Sequence, residues 1–64
     1  MYKNYAKLRD AKGMNDHQVS LASGVATSTL TSWKKGDYTP KLDKLRKIAA
    51  VLGVTVDDLI EEAS

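Results

Sequence analysis

The sequence contains no cysteine, one histidine and one proline in 64 residues. Without cysteine the chain can form neither a disulfide framework nor a thiolate zinc site, so its stability must come from side-chain packing alone. It has no apolar run long enough to span a membrane, and its first ten residues, MYKNYAKLRD, lack the apolar stretch of a secretory signal. We therefore expect one small cytoplasmic domain, residues 1–64, with a single core.

The net charge is only +2, but the charges are unevenly distributed along the chain. All ten lysines and arginines lie within residues 3–47. The last eight residues hold four acidic side chains, Asp57, Asp58, Glu61 and Glu62. This asymmetry predicts a basic face and an acidic pole on one small body, although charges dispersed over a solvated surface would give the same composition.

The side chains that usually carry catalysis or bind metals are scarce. His17 is the only histidine, and no cysteine is present to act beside it as a nucleophile, so we predict that the protein is not an enzyme. The acidic residues near the end are explained by helix capping and solubility, whereas hard cations prefer several oxygens that converge in a loop. The four glycines occur singly, which excludes a phosphate-cradling loop. We expect no metal, no cofactor and no small-molecule substrate.

Hydrophobic periodicity predicts five helices and almost no strand, an all-α fold. The clearest stripe lies in the fourth helix, where apolar residues recur at spacings of three and four from Leu42 to Leu52 and include Ala49. The inward positions of the five helices predict one core, made of Tyr5, Leu8, Val19, Ala22, Val25, Leu30, Trp33, Leu42, Leu45, Ile48, Leu52, Val54 and Leu59.

Capping signals indicate where the helices begin and end. Two capping boxes are predicted before the second and fifth helices, from the pairs Asn15 with Gln18 and Thr55 with Asp58. Thr27 is expected to cap the third helix. Thr39-Pro40 is expected to open the fourth, with the proline at the first helical position. The expected helix ends are the glycines Gly13, Gly36 and Gly53.

The segment from Asp16 to Lys35, DHQVSLASGVATSTLTSWKK, predicts two short helices, at about 16–23 and 28–35, joined by a tight turn. Gly24 lets the backbone adopt a positive φ in the turn, and the small Ser20 lets the two helices approach closely. The outer face of the second helix carries short hydroxyls, one cation and no acid: Thr27, Ser28, Thr31, Ser32 and Lys35. Such a helix can lie in the major groove of DNA.

With its flanking helices, this segment resembles the helix-turn-helix domains of the lambdoid phage repressor and Cro family, also called the XRE family. The resemblance extends from about Tyr5 to Ile60. It rests on Leu8-Arg9, Lys12-Gly13, Gly24-Val25, Ser28-Thr29-Leu30, Trp33, Gly36, Pro40, Leu45, Ile48-Ala49, Leu52-Gly53-Val54 and Asp57-Asp58-Leu59. It implies a five-helix lambda-repressor-like fold and a transcriptional regulator, of phage or prophage repressor type, that occupies an operator in double-stranded DNA. Family members bind as two-fold dimers, which implies a homodimer here.

The resemblance also assigns residues to the DNA by position. The base contacts would be Thr27, Ser28, Thr31 and Ser32, whose hydroxyls can donate or accept and whose Thr methyls can touch thymine. The phosphate contacts would come from the start of the second helix, which presents free N–H groups, and from the far rim of the third: Asn15, His17, Thr29, Lys35, Tyr38 and Lys41. Without the resemblance, these positions would equally suit a solvated polar helix face.

Three residues depart from the family's pattern. Asp16 stands where many members have a DNA-contacting Gln, and because phosphate would repel its charge we exclude it from the contacts. Some phage members have Glu at the position of Lys34, paired with the arginine that matches Arg9. Here two cations would lie near each other, so Arg9 requires another acid or stays hydrated. Leu21 replaces an outward polar residue, and we expect it to be exposed and available to a partner.

Two other functions are compatible with the sequence. One is a protein-interaction module of antitoxin type, since fold alone does not fix function. The other is a sequence-indifferent DNA binder, because the third helix offers no bidentate Arg or Gln to the bases. A dimer would use exposed apolar residues of the last two helices, for which the candidates are Val51, Val56 and Ile60.

Overall fold

In the computed structural model, residues 2–60 are described, and they form five α-helices without a strand. The helices are α1 (Tyr2–Ala11), α2 (Asp16–Ser23), α3 (Thr27–Lys35), α4 (Leu42–Leu52) and α5 (Val56–Ile60). The predicted all-α, five-helix fold is thereby confirmed. Glu61 and Glu62, half of the predicted acidic pole, lie outside the described residues. Among the helices described, none is long and apolar enough to cross a membrane.

The turn between α2 and α3 is built as the sequence predicts. Gly24 has φ +76°, the left-handed conformation that a residue with a Cβ rarely adopts. Its N–H donates to the Ser20 carbonyl at 2.9 Å. The Ser20 hydroxyl donates to the Val25 carbonyl at 2.6 Å. Ser20 therefore closes the turn with a hydrogen bond, in addition to allowing the two helices to approach.

Of the four predictions for the starts of helices, two are confirmed and two are wrong, and Gly36 and Gly53 end α3 and α4 as predicted. The capping boxes that involve Asn15 and Thr55 are both present. Thr27, however, is the first residue of α3, whose N-cap Ala26 has no side-chain hydrogen bond. Pro40 is buried and lies two residues before α4, which begins at Leu42. The proline ring packs in the loop, and the chain stays extended at Lys41 before the helix starts.

Within residues 2–60, ten buried residues from all five helices and the α2–α3 turn form the hydrophobic core: Tyr5, Val19, Val25, Leu30, Trp33, Leu45, Ile48, Ala49, Leu52 and Leu59. Leu8 and Val54, predicted as core, are half-buried and pack against it. Ala22 and Leu42 were wrongly placed in the core, since both are exposed. The inner side of α2 is formed by Val19 with half-buried serines, which turns Ala22 outward. Leu42 is the first residue of α4, where the helix end leaves it open to solvent.

The packing order of the helices leaves α3 at one side of the molecule. α4 packs against α2 and α5, α5 packs against α1, and α2 packs against α3. α3 is supported by α2 and by aromatic rings from α1 that contact Trp33. Its opposite face therefore stays open, which is the arrangement that a recognition helix requires.

Candidate nucleic-acid interface

The outer face of α3 lies opposite the two side chains that anchor the helix. Leu30 and Trp33 are buried. Four residues at helical spacing share the outer face: Ser28, Thr31, Ser32 and Lys35. Of these, only Ser32 is half-buried, and the other three are exposed. Thr27 is also exposed but lies at the edge of this face, on the same side of the helix as Lys34. The predicted base-contact residues thus form one continuous polar surface with Thr27 at its border.

One rim of this face is a shallow open depression of about 260 Å³ between α3 and the loop that leads to α4. It is lined by Ser28, Thr29, Ser32 and Tyr38, and we call it the hydroxyl depression. The structure therefore brings two predicted base-contact residues together with two predicted phosphate-contact residues. All four side chains carry a hydroxyl, which can donate to a phosphate oxygen or exchange hydrogen bonds with a base edge. Lys35 and Lys41 are exposed but do not line the depression.

At the opposite rim, the start of α2, the predicted capping box occupies some of the hydrogen-bond donors. The Asn15 Oδ1 accepts from the Gln18 N–H at 2.8 Å, and the Gln18 Oε1 accepts from the Asn15 N–H at 2.9 Å. This capping box uses two of the backbone N–H groups at the start of the helix. An anion at this rim would have to use the N–H groups of Asp16 and His17 and the exposed side chains of Asn15 and His17.

Asp16 is the residue of this region whose role the sequence did not reveal. Its Oδ1 accepts from the Tyr5 hydroxyl at 2.6 Å and from the Arg9 Nη1 at 2.8 Å. Its Oδ2 accepts from the Tyr2 hydroxyl at 2.9 Å. We call these four residues the Asp16 network. Tyr2, Tyr5 and Arg9 recur at helical spacing in α1, which signals a shared face, but nothing local in the sequence aims that face at Asp16.

The Asp16 network also answers the question of how Arg9 is paired. Besides Asp16, the guanidinium binds Asp10 at 2.9 Å, and its Nη1 donates to the Tyr2 hydroxyl at 3.0 Å. Arg9 therefore has two acids, one of the two outcomes that the sequence left open. Lys34 lines a cleft with Arg9, Asp10 and Asp16, so the two cations share a site that also holds two carboxylates.

The ionisation of the Asp16 network follows from burial and hydrogen bonding. Burial by itself would raise the pKa of Asp16, but the hydrogen bonds from Tyr5, Arg9 and Tyr2 outweigh it and hold the pKa below its usual value. Burial and the hydrogen bond to Asp16 raise the pKa of both tyrosines. The network thus holds a carboxylate and two neutral phenols at neutral pH.

The rings of the same tyrosines join α1 to α3. Tyr5 is fully buried and stacks on Trp33, with ring centroids 5.0 Å apart and an angle of 28° between the ring planes. Tyr2 meets Trp33 edge to face at 5.5 Å, and the two tyrosine rings lie 5.2 Å apart. We call Tyr2, Tyr5 and Trp33 the aromatic cluster. Each tyrosine therefore contacts α2 through its hydroxyl and α3 through its ring.

Exposed apolar side chains lie elsewhere on the surface. Leu21 on α2 is 72% exposed, as predicted. Of the three residues proposed for a dimer, Ile60 is exposed, whereas Val51 and Val56 are half-buried. Val56 packs against the core, which explains why it is less accessible than its position in a short helix suggests.

Comparison with known proteins places this geometry in a family. A helix-turn-helix family model matches residues 6–59. The chain is 30% identical over 56 residues to the cryptic phage CTXphi transcriptional repressor RstR of Vibrio cholerae, an alignment that covers 88% of this chain and 50% of the relative. It is 33% identical over 57 residues to the uncharacterized HTH-type transcriptional regulator y4dJ of Sinorhizobium fredii (strain NBRC 101917 / NGR234). That alignment covers 89% of this chain and 74% of the relative.

No solved structure gives a significant match to this chain. The chain spans half the length of the phage relative, so the two proteins share one domain-sized region. The family model nevertheless covers α2, the turn and α3 together with most of the flanking helices, in the order that the structure has them. The chain therefore belongs to the XRE-type helix-turn-helix family of transcriptional regulators.

Proposed function

We propose that this chain is a sequence-specific DNA-binding domain of a phage or prophage-type repressor, which acts in the cytoplasm by occupying an operator. The observation that carries the proposal is the outer face of α3, which is open, rich in hydroxyls and free of acidic side chains. Phosphate repels acids, and a helix with short polar side chains can approach base edges closely. The resemblance to a phage transcriptional repressor supports the same function.

The bases would be contacted by Thr27, Ser28, Thr31 and Ser32. A hydroxyl can serve either a donor or an acceptor on a base, so recognition would depend on several modest contacts rather than one bidentate contact. Thr31 also offers a methyl group to thymine. Thr27 contributes from the border of the face, because it lies at the first residue of α3.

The phosphates on either side of the groove would be contacted by the two rims. Thr29, Lys35, Tyr38 and Lys41 would bind one strand, and Asn15 and His17 the other. These contacts position the domain and carry little sequence information. A domain with so few contacts neutralises few phosphates and binds weakly alone, so a homodimer on two half-sites one helical turn apart would supply the affinity.

Selection of bound sequences from random duplex DNA tests this function. We expect enrichment of one motif, with a palindrome if the chain binds as a dimer, and an affinity that falls steeply with salt. Competition with random duplex separates operator recognition from sequence-indifferent binding. Enrichment of no motif, with equal affinity for all duplexes, would reject the repressor in favour of the sequence-indifferent binder.

One observation favours a second candidate, a protein-interaction module of antitoxin type. Leu21 on α2 is the most exposed large apolar side chain in the described residues. A leucine so placed is suited to a protein partner. A stable complex with a protein that depends on Leu21, formed by a chain that does not retard duplex DNA, would favour this function over the repressor.

A further inference from the structure

We propose that Asp16 is a positioning residue of the DNA-binding surface, which fixes the orientation of α3 through the two tyrosines of α1. The proposal rests on the proposed function. Asp16 is the first residue of α2, where an outward carboxylate would meet the phosphates. Its carboxylate is instead turned toward α1, and only 25% of the side chain is exposed. An acid at this position is compatible with DNA binding because Arg9 and the tyrosines hold it inward.

The first step of the connection is the hydrogen bonding at Asp16. An ionised carboxylate accepts only, and here it serves three donors, two at Oδ1 and one at Oδ2. Hydrogen bonds to an ionised acceptor are shorter and stronger than those between neutral groups. The 2.6 Å contact from the Tyr5 hydroxyl fits this description. The hydroxyl ends of Tyr2 and Tyr5 are therefore fixed to the start of α2.

The second step is the aromatic cluster. Tyr5 is stacked on Trp33 and is fully buried, so its ring has no room for another orientation. Tyr2 contacts the same indole at its edge. A movement of either hydroxyl away from Asp16 would be transmitted to Trp33, because the rings between them are rigid.

The third step is the rotation of α3 about its own axis. The turn fixes the beginning of α3 through the hydrogen bond from Ser20 to the Val25 carbonyl. Trp33 lies two turns later, and its contacts determine how the rest of the helix is rotated. Ser32 immediately precedes Trp33 and lies on the adjoining face, so a small rotation displaces its hydroxyl relative to the groove. The Asp16 network thus controls the presentation of the base-contacting residues without touching DNA.

Asp16 could be either a repulsive acid near the DNA or a positioning residue. The two roles predict opposite changes in DNA affinity when its charge is removed. If Asp16 were only an acid near the DNA, Asp16→Asn would tighten binding, because a repulsive charge is lost. If it is a positioning residue, Asp16→Asn weakens binding despite that loss. The amide has a single acceptor oxygen and cannot serve all three donors as the carboxylate does. The sign of the change therefore separates the two explanations.

The test measures the dissociation constant of the folded protein for its selected duplex, together with the emission of Trp33, the single tryptophan of the chain. Asp16→Asn should raise the dissociation constant by about tenfold, which is about 1.4 kcal/mol of binding free energy. Trp33 emission should shift as its packing loosens. Tyr5→Phe keeps the ring and every charge but removes one hydrogen bond, so it should change both measurements in the same direction by less.

Thr55→Ala is the matched control, because it removes the capping hydrogen bond at α5 and lowers stability away from α3. It should leave the affinity of the folded fraction and the Trp33 emission unchanged. Equal or tighter binding by folded Asp16→Asn overturns the proposal. If that variant does not fold, unchanged affinity of folded Tyr5→Phe overturns it instead. A parent chain that binds no duplex rejects the proposed function and this inference together, whereas failure of the inference alone leaves parental binding intact.

Discussion

The hydroxyl groups of Ser28 and Ser32 are one helical turn apart on α3, and both line the hydroxyl depression. We expect Ser28→Ala or Ser32→Ala to change the preferred bases at one or two symmetric positions, because under the proposed function each hydroxyl contacts one base edge. The loss for a correct site should be about 1 kcal/mol or less, since a single hydroxyl is weaker than a bidentate pair. Selection from random duplex with each variant measures this. The fold should persist, and an unchanged motif in the double variant would contradict the assignment.

The effect expected of substituting Lys34 depends on how Arg9 is paired. Repulsion between Lys34 and Arg9 alone would make Lys34→Glu stabilising. Since Arg9 already binds Asp10 and Asp16, a third carboxylate in the same cleft should instead reduce the free energy of unfolding by about 0–1 kcal/mol. The reduction should shrink in high salt. Urea denaturation at two salt concentrations measures it, with Lys34→Gln as the control for loss of the lysine charge. A more stable Lys34→Glu protein at low salt would show that Lys34 and Arg9 repel.

At the scale of secondary-structure elements, α1 is attached to α2 by a group that titrates in acid. The folded state lowers the pKa of Asp16, so the network contributes stability above the unfolded value of about 3.9 and loses it as the pH falls through the folded pKa. When the pH is lowered from neutral to below the unfolded-state pKa, we expect the melting temperature of the parent to fall more than that of Asp16→Asn. Thermal melts across this range test it. Parallel curves for the two proteins would mean that Asp16 contributes no pH-dependent stability.

The two rims of α3 should position the domain without selecting sequence. Lys35→Ala and Lys41→Ala should each weaken binding to specific and random duplexes equally. Each should also reduce the slope of affinity against salt by about one unit, because one phosphate contact is lost. Lys3→Ala, on exposed α1 surface, is the control and should leave the slope unchanged. Slopes equal to the parental value for the two rim variants would indicate solvated lysines.

The helices themselves were largely predictable, because their signals are local. Asn15 with Gln18 and Thr55 with Asp58 act within a few residues, and both capping boxes form. The start of α4 was not predictable from Pro40, since a proline can occupy the first helical turn or the loop before it. In the structure Pro40 is buried in the loop before α4, a placement that depends on the tertiary fold.

At the scale of the whole molecule, the small core leaves little reserve of stability. Trp33 is one of the ten core residues in the described part of the chain, and it contacts two tyrosines. Trp33→Ala should cost about 3–5 kcal/mol by opening a cavity, which approaches the entire stability of many small domains. We expect a largely unfolded protein by far-UV circular dichroism. Trp33→Phe, which keeps a ring, should remain folded. A Trp33→Ala protein that melts near the parental temperature would contradict the packing of α3.

The outer face of α3 was predictable from spacing, whereas the Asp16 network was not. Thr31 and Ser32 follow from the position of Leu30 and Trp33 on the same helix. The contact of Asp16 with Tyr5 depends on how α1 crosses α2, and helical periodicity does not specify a crossing angle. The sequence suggested that Asp16 should be kept away from DNA, and the structure supplies the arrangement that turns it inward. Ala22 was misplaced for a related reason, because the rotation of α2 depends on its neighbours.

The separation of the two faces of α3 has a consequence for how such a protein can diverge. Leu30 and Trp33 hold the helix in place, while Ser28, Thr31 and Ser32 on the opposite face contribute little to the core. Substitutions on the outer face can therefore accumulate with little loss of stability, since surface changes usually alter it by less than about 0.5 kcal/mol. Under the proposed function, one scaffold can acquire new target sequences by exchanging a few side chains of this face. This surface is accordingly the natural place to randomise in a library that seeks new specificities.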